Sequence, residues 1–189
     1  MKRILGLMLV CALMGGLLMQ PALAASFPDV DDAAGYAEAV EVLFSMGIMQ
    51  GEPDGNFHPN GKVTRGQMAA IICRVLGEQN NLISDGTQFT DVAANHWANG
   101  YVVKVASLGI VNGYGDGTFG PENTVTYAQA LTMIVRTMGL EENAISAGGY
   151  PDGYIKVAVE NGLAGKFNAA QNEPLTRWQV AEIVFGIFQ

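Results

Sequence analysis

Apolar residues recur at helical spacing in three separate stretches of the chain. In the first stretch they follow i, i+3, i+4, i+7 and i+8, the spacing that places side chains on one face of an α-helix: Met68, Ile71, Ile72, Val75 and Leu76. Two later stretches keep the same face: Ala130, Met133, Ile134 and Met138, and Val180, Ile183, Ile187 and Phe188. Gly77 and Gly139 follow the first two stretches, where glycine favours the left-handed end of a helix. The pattern predicts three amphipathic helices.

A shorter apolar pattern precedes each of these helices. Its members are Val40, Leu43 and Phe44, then Val102, Val105 and Ala106, then Ile155, Ala158 and Val159. Residues 51–59 and 113–121 separate the first two pairs and are rich in Gly and Pro, with an Asp-Gly pair that marks a tight turn. Residues 78–88 and 141–149 are polar and join the units. The sequence therefore predicts an all-α fold of six main helices in three helix-loop-helix units.

The units are internal repeats. Five segments return 62 residues later without a gap, beginning with Phe27-Pro28-Asp29-Val30, which returns as Phe89-Thr90-Asp91-Val92. A third copy is shorter, because its opening is reduced to Tyr150-Pro151-Asp152-Gly153 and its Asp-Gly turn between the helices is missing. Repetition at this period is typical of arrays in which each unit buries its apolar face against its neighbours.

Each second helix of a unit begins with the same short motif. Thr64 precedes Gln67 by three residues, Thr126 precedes Gln129, and Thr176 precedes Gln179. This is the capping-box pattern, in which the Thr hydroxyl and the Gln side chain each satisfy a backbone N–H of the first turn. The Thr and Gln residues therefore have a structural explanation that needs no ligand.

The residue after the Thr lacks such an explanation. Arg65 and Arg177 occupy this position in the first and third copies, and Tyr127 occupies it in the second. A cation in the exposed first turn of a helix is disfavoured by the helix macrodipole. We therefore expect Arg65 and Arg177 to contact an anion.

Residues 1–24 have the pattern of a secretory signal. Lys2 and Arg3 precede an apolar run from Ile4 to Met19, and small residues follow at a cleavage site after Ala24 or Ala25. Two alternatives stay open: a retained transmembrane helix, which would be short for a bilayer, and a lipoprotein that uses Cys11. The sequence predicts an exported chain with no integral membrane segment after cleavage.

The composition excludes some functions. The formal net charge is −8, and loss of Lys2 and Arg3 lowers it to −10, which argues against nucleic acid as a partner. Cys73 is the single cysteine left after cleavage, so no intrachain disulfide is expected, and its apolar neighbours predict a buried, inert thiol. The exported part is long enough for one domain with a core, with no room for a separate enzyme.

Metal and catalytic sites are not expected. Asp54-Gly55-Asn56 and Asp116-Gly117-Thr118 lack the ligand spacing of a calcium loop. The two histidines, His58 and His96, lie in different repeats without a nucleophile or metal-spaced cluster beside them. We therefore predict that the protein is not an enzyme and needs no cofactor.

The motifs together resemble the S-layer homology (SLH) domain over essentially the whole chain after the signal. The resemblance rests on F-x-D-V, an aromatic residue near the first helix, G-I-x-x-G, D-G-x-F-x-P and a T-R-A-E-like motif. It implies SLH repeats at 25–88, 89–148 and 149–189, the last shortened, in a pseudo-threefold bundle. The family binds secondary cell-wall polymers, often pyruvylated glycans, in grooves between repeats, where the Arg of the motif contacts the ligand.

The resemblance also implies site residues, with departures from the family pattern. Arg65 and Arg177 would contact an anion, Trp97 and Tyr127 would contact a sugar, and the rest of the motif would contribute Thr64, Gln67, Thr176 and Gln179. Gln replaces the family's Glu in all three copies, Tyr127 replaces the Arg, and Gly35 stands where the second repeat has Trp97, with Tyr36 the nearest aromatic residue. Trp97 packed in the seam between repeats is an equally open interpretation.

The expected function is noncovalent anchoring to the bacterial cell wall. The expected partners are a secondary cell-wall polymer or peptidoglycan-linked glycan, and other surface-layer proteins, and the expected location is the cell wall or S-layer surface. The alternative is a structural or protein-interaction module that keeps the SLH fold without binding glycan. Because such repeats usually carry cargo, the chain is also compatible with the anchoring fragment of a longer protein.

Overall fold

The computed structural model describes residues 27–84 and 88–189, so the predicted signal segment 1–24 lies outside it. The described residues form seven α-helices and one 3₁₀ turn, with no strand among them. The helices are α1 Ala37–Ser45, α2 Arg65–Val75, α3 Asn99–Ser107, α4 Tyr127–Thr137, α5 Glu141–Ser146, α6 Asp152–Glu160 and α7 Arg177–Phe185, and the 3₁₀ turn is Gly186–Phe188. The predicted all-α class is confirmed. Within these residues no helix combines the length and apolar character needed to cross a membrane.

The short helix α5 was not predicted, because its segment was assigned to a connection. Glu141 and Glu142 lie in its first turn, where acidic residues interact favourably with the helix macrodipole. Glu141 also accepts a hydrogen bond from Arg136 Nε at 2.8 Å, and Ala144 is fully buried. These tertiary contacts stabilise a helix that is too short to be stable alone.

The capping boxes are confirmed at α2, α4 and α7. At α2 the Gln67 N–H donates to Thr64 Oγ1 at 3.2 Å, and the Thr64 N–H donates to Gln67 Oε1 at 2.9 Å. At α7 the Thr176 N–H donates to Gln179 Oε1 at 2.9 Å. Each of these helices begins one residue after its Thr, as the motif predicts.

Three backbone hydrogen bonds form a closed ring at the centre of the molecule. The Val63 N–H donates to the Leu175 carbonyl at 3.1 Å, the Leu175 N–H to the Val125 carbonyl at 3.0 Å, and the Val125 N–H to the Val63 carbonyl at 2.9 Å. All three side chains are buried. The ring joins the segments that precede α2, α4 and α7.

The helices pair in the same cyclic order. Helix α2 packs against α3, α4 packs against α6, and α7 packs against α1. Each helix that begins with a capping box therefore contacts the first helix of the next pair. The pseudo-threefold arrangement of the whole bundle stays a prediction, and the ring and the helix pairs agree with it.

The loops between the helices are held by aspartates from the start of each repeat. Asp29 accepts hydrogen bonds from the N–H groups of Phe57 and His58 at 2.8 and 2.7 Å. Asp91 accepts the corresponding bonds from Phe119 and Gly120 at the same two distances. The sequence assigned these carboxylates to the turn before the first helix, and this partner was wrong because the repeat folds back on itself. The carboxylates instead fix the loops that carry the buried Phe57 and Phe119 rings.

Candidate ligand-binding grooves

Arg65 is buried, with 5% of its surface exposed. The expectation of an exposed first turn is therefore wrong. Its Nε donates to the Phe119 carbonyl at 2.8 Å, and its guanidinium carbon lies 4.6 Å from the Phe119 ring centre and 4.5 Å from that of Tyr114. Burial lowers the pKa of Arg65 below its ordinary value. The ring faces and the carbonyl compensate the cation for part of the lost hydration.

Arg65 is enclosed because a loop of the next repeat crosses the start of α2. The Arg65 N–H donates to the Asn123 carbonyl at 2.8 Å, and the Gly66 N–H donates to the Pro121 carbonyl at 2.9 Å. A Cβ on Gly66 would lie 2.9 Å from that same carbonyl oxygen, so the close approach requires glycine. These two N–H groups at the start of α2 are therefore already bonded, and an anion here must be met by the side chain.

Arg177 has the same environment at the start of α7. Its Nε donates to the Phe57 carbonyl at 2.7 Å, and its guanidinium carbon lies 4.5 Å from the centre of the Phe57 ring. Nη2 donates to the Gln50 carbonyl, and Nη1 lies 3.5 Å from Glu52 Oε1. Burial lowers the pKa of Arg177 as well.

Tyr127 takes the corresponding place at the start of α4. Its hydroxyl donates to the Ala164 carbonyl at 3.2 Å, and its ring meets the Phe167 ring edge to face at 5.8 Å between centres. The residue is 7% exposed, and burial raises the pKa of its hydroxyl. Arg65, Tyr127 and Arg177 therefore each contact the loop that precedes the next central segment.

The first groove is a cavity of about 470 Å³ beside Arg65. Its other walls include residues 110–114, Gln129 and Arg136 of α4, and Tyr150 and Tyr154. Tyr150 is 59% exposed, so its ring is open to a ligand. Arg136 is paired with Glu141 at 2.8 Å.

The second groove has a volume of about 190 Å³ beside Arg177. It brings together three predicted site residues, Arg177, Trp97 and Gln67, with Glu52 and Arg74. Trp97 is 52% exposed and donates from Nε1 to Glu122 Oε1 at 2.9 Å. Its Cζ2 lies 3.2 Å from the position of a Cβ on Gly66. Trp97 therefore packs in the seam with one edge while part of its ring stays open.

The third groove, beside Tyr127, has a volume of about 500 Å³. Its walls include the buried Glu182, which accepts a hydrogen bond from the Lys166 N–H at 3.2 Å. No arginine is among its described lining residues. Its chemistry therefore differs from that of the two arginine grooves.

The remaining predicted site residues lie outside these three grooves. Thr64, Thr176 and Gln179 are absent from their linings. Each takes part in a capping box, and Gln179 is buried, with 6% of its surface exposed. The structure therefore gives these three residues a structural role.

Several lining residues escaped sequence reasoning. Tyr114, Tyr150 and Tyr154 were not named, and Arg74 and Arg136 were assigned to their helix ends alone. A signal for Tyr150 exists, because the spacing from Gly162 places it where the second repeat has Trp97 relative to Gly109. Tyr36, the nearest aromatic residue to Gly35, stacks on Trp178 at 5.3 Å between ring centres.

Comparisons with known proteins agree with the motif pattern. The family model of the S-layer homology domain matches residues 26–69 and 88–131. The chain is 35% identical over 161 residues to a cell surface protein of Thermoanaerobacter kivui, which covers 84% of this chain and 20% of that protein. It is 34% identical over 137 residues to a surface layer protein of Brevibacillus choshinensis, covering 71% and 12%. It is 30% identical over 117 residues to a cellulosome-anchoring protein of Acetivibrio thermocellus, covering 60% and 26%.

The chain thus spans about a quarter or less of the length of these three relatives. The matches point to a location at the cell wall or cell surface. Among the described residues, no group of three or more His, Cys, Asp or Glu side chains is arranged to hold a metal ion.

Proposed function

Because the chain carries two S-layer homology repeats, at 26–69 and 88–131, we propose that it anchors noncovalently to the bacterial cell wall by binding a secondary cell-wall polymer in the grooves between repeats. The observation that carries this proposal is the first groove. It places the guanidinium of Arg65, which has no ion pair among the described residues, in the same cavity as the open ring of Tyr150.

This pair suits an acidic sugar unit. The guanidinium can donate hydrogen bonds to a carboxylate, each contributing about 1.5–3 kcal/mol between charged groups. The Tyr150 ring can pack against the apolar face of the sugar ring. A pyruvylated glycan carries both groups on one residue, so it is the polymer class that we propose for this groove.

We propose further that residues 149–189 are a third, shortened repeat. The ring of hydrogen bonds through Leu175 and the contact of α7 with α1 support this proposal. The third repeat would supply Tyr150 to the first groove and Arg177 to the second. A polymer that occupies two grooves of one chain would gain about 10²–10⁴ in avidity over a single groove.

The other predicted site residues take graded roles in this proposal. Trp97 offers a sugar contact in the second groove, beside the Gln67 side chain. Tyr127 offers a phenol edge in the third groove. Arg177 would contact an anion only where the ligand displaces Glu52. The chain itself is proposed to be non-enzymatic.

A second candidate function is a protein-interaction module that binds no glycan. Both predicted arginines already bind carbonyls of a neighbouring loop, which gives them a structural role without a ligand. Under this alternative the aromatic rims of the grooves would contact another surface protein.

Co-sedimentation with cell-wall sacculi of the bacterium that makes the chain tests the proposal. We expect the chain from residue 25 onward to bind intact sacculi and to lose binding after the secondary polymers are stripped. Tyr150→Ala should weaken binding about tenfold, since the loss of one aromatic packing contact costs on the order of 1 kcal/mol. Arg65→Gln should weaken binding further.

The matched control is Leu108→Ala, which removes an exposed apolar side chain that lies outside the three grooves. Circular dichroism establishes that each variant is folded. If the folded chain does not bind sacculi, the anchor proposal is wrong. If the chain binds and neither groove variant changes the binding, the protein-interaction alternative is favoured.

A further inference from the structure

The two arginine grooves are built on the same frame. Arg65 and Arg177 each donate from Nε to a phenylalanine carbonyl, at 2.8 and 2.7 Å, and each lies about equally close to the ring of that phenylalanine. A second arginine lines each groove from the last turn of its helix, Arg136 in the first groove and Arg74 in the second. Each groove therefore has two guanidinium groups on its walls.

The acidic residues of the two grooves differ in position. In the first groove Glu141 pairs with Arg136 at 2.8 Å, and Tyr154 bridges the pair by donating to Glu141 at 2.8 Å. In the second groove Glu52 lies 3.5 Å from Arg177. Tyr114 occupies the position of Glu52 in the first groove, 62 residues later, and stacks its ring on Arg65.

The arginine left without a carboxylate therefore changes from one groove to the other. In the first groove it is Arg65, at the start of α2. In the second it is Arg74, in the last turn of α2, whose Nη1 donates to the Ile48 carbonyl at 3.3 Å. Neither of these two side chains has an ion pair among the described residues.

We propose that Arg74 is the anion contact of the second groove and that Glu52 is the residue that decides this. All three nitrogens of Arg177 are engaged, by the carbonyls of Phe57 and Gln50 and by Glu52. A ligand carboxylate at Arg177 would have to displace Glu52 or lie beside a like charge. At Arg74 it meets a cation without an acidic partner.

This inference rests on the proposed function and adds a second position to it. In the first groove the acidic group of the polymer is held near the start of one helix. In the second it is held near the end of another, beside Trp97. The two grooves would therefore hold successive acidic units of one polymer in different orientations.

The test uses a defined probe, the pyruvate ketal of a methyl hexoside, with its uncharged methyl ester as the matched control ligand. The readout is the side-chain Nε–H signal of each arginine in ¹⁵N NMR spectra, with stoichiometry from calorimetry. We expect the acid to shift the signals of Arg65 and Arg74 and to leave that of Arg177 unmoved. The ester should shift both at least tenfold less at the same concentration.

Two variants make the test specific. Arg74→Gln keeps a hydrogen-bond donor without the charge and should abolish the second equivalent while keeping the first. Glu52→Gln removes the competing carboxylate and should produce a new shift at Arg177. The second variant changes an exposed side chain, so its result does not depend on whether Arg74→Gln folds.

The outcomes separate this inference from the proposed function. A shift at Arg177 in the unmodified chain, or two equivalents retained by folded Arg74→Gln, overturns the role of Arg74. A shift at Arg65 without one at Arg74 overturns it while leaving the proposed function intact. An absence of both shifts overturns it together with the proposed acidic ligand, and sacculus binding then decides whether anchoring survives.

Discussion

At the scale of the residue, the repeat depends on aspartates whose partners lie in a distant loop. Asp91 accepts two backbone hydrogen bonds from Phe119 and Gly120, 28 and 29 residues later. Because the acceptor is a carboxylate, each bond is stronger than one between neutral groups. The loop held in this way carries the Phe119 carbonyl and ring that contact Arg65. One aspartate therefore supports the wall of a groove that it does not line.

Replacement of Asp91 should destabilise the chain. We expect Asp91→Ala to lower the free energy of unfolding by about 2–4 kcal/mol, since it leaves two N–H groups without their acceptor. Asp91→Asn, which keeps one acceptor oxygen, should cost about half as much. Urea unfolding measures both values, with the exposed Asp32→Ala as the control. Equal stability of Asp91→Ala and the control would contradict this account of the loop.

The same residues show where prediction from sequence stops. The capping Thr and Gln residues were predicted correctly, because both partners lie within one turn of the helix. The burial of Arg65 was not predicted, because its cover comes from residues 119–123 of the next repeat. Glu52 was missed for a related reason, since its partner Arg177 lies far along the chain. Local motifs thus identified the helices, while the chemistry of the grooves depends on long-range contacts.

At the scale of the element, α5 is held to the bundle by its first residue. Glu141 accepts hydrogen bonds from Tyr154 and Arg136, at 2.8 Å each. The hydrogen bond from Tyr154, followed by the positive charge of Arg136, lowers the pKa of Glu141 below its ordinary value of 4.5. The helix therefore depends on the ionised form of this carboxylate.

This lowered pKa predicts an acid-sensitive contribution to stability. With a pKa lower in the folded than in the unfolded state, Glu141 stabilises the fold fully above about pH 4.5 and loses this contribution as the pH falls through the folded value. Urea unfolding between about pH 6 and pH 3 should show a smaller loss of stability for Glu141→Gln than for the unmodified chain. The neighbouring Glu142→Gln serves as the control. Identical pH profiles for Glu141→Gln and the unmodified chain would rule out this role.

At the scale of the whole molecule, the closed ring makes the three helix pairs interdependent. The bonds among Val63, Val125 and Leu175 and the contact of α7 with α1 join the beginning of the described chain to its end. Each of the two arginine grooves also takes residues from all three pairs. Neither groove is complete within one repeat or within two.

Removal of residues 149–189 should therefore unfold more than the part removed. The fragment 25–148 would lose the partner of the Val63 N–H and expose the face of α4 that packs against α6. We expect it to lack a cooperative thermal transition or to associate through the exposed face, as measured by circular dichroism and sedimentation. A monomeric fragment that unfolds cooperatively at the midpoint of the full chain would show that the first two repeats are independent.

The composite grooves also impose an order in time. The ribosome makes the chain from its N-terminus, so Gln50 and Glu52 emerge long before Arg177, their partner in the second groove. The first groove likewise waits for Tyr150. A nascent chain thus passes through most of its synthesis without a finished binding surface, and it acquires affinity only when its last helix closes the circle.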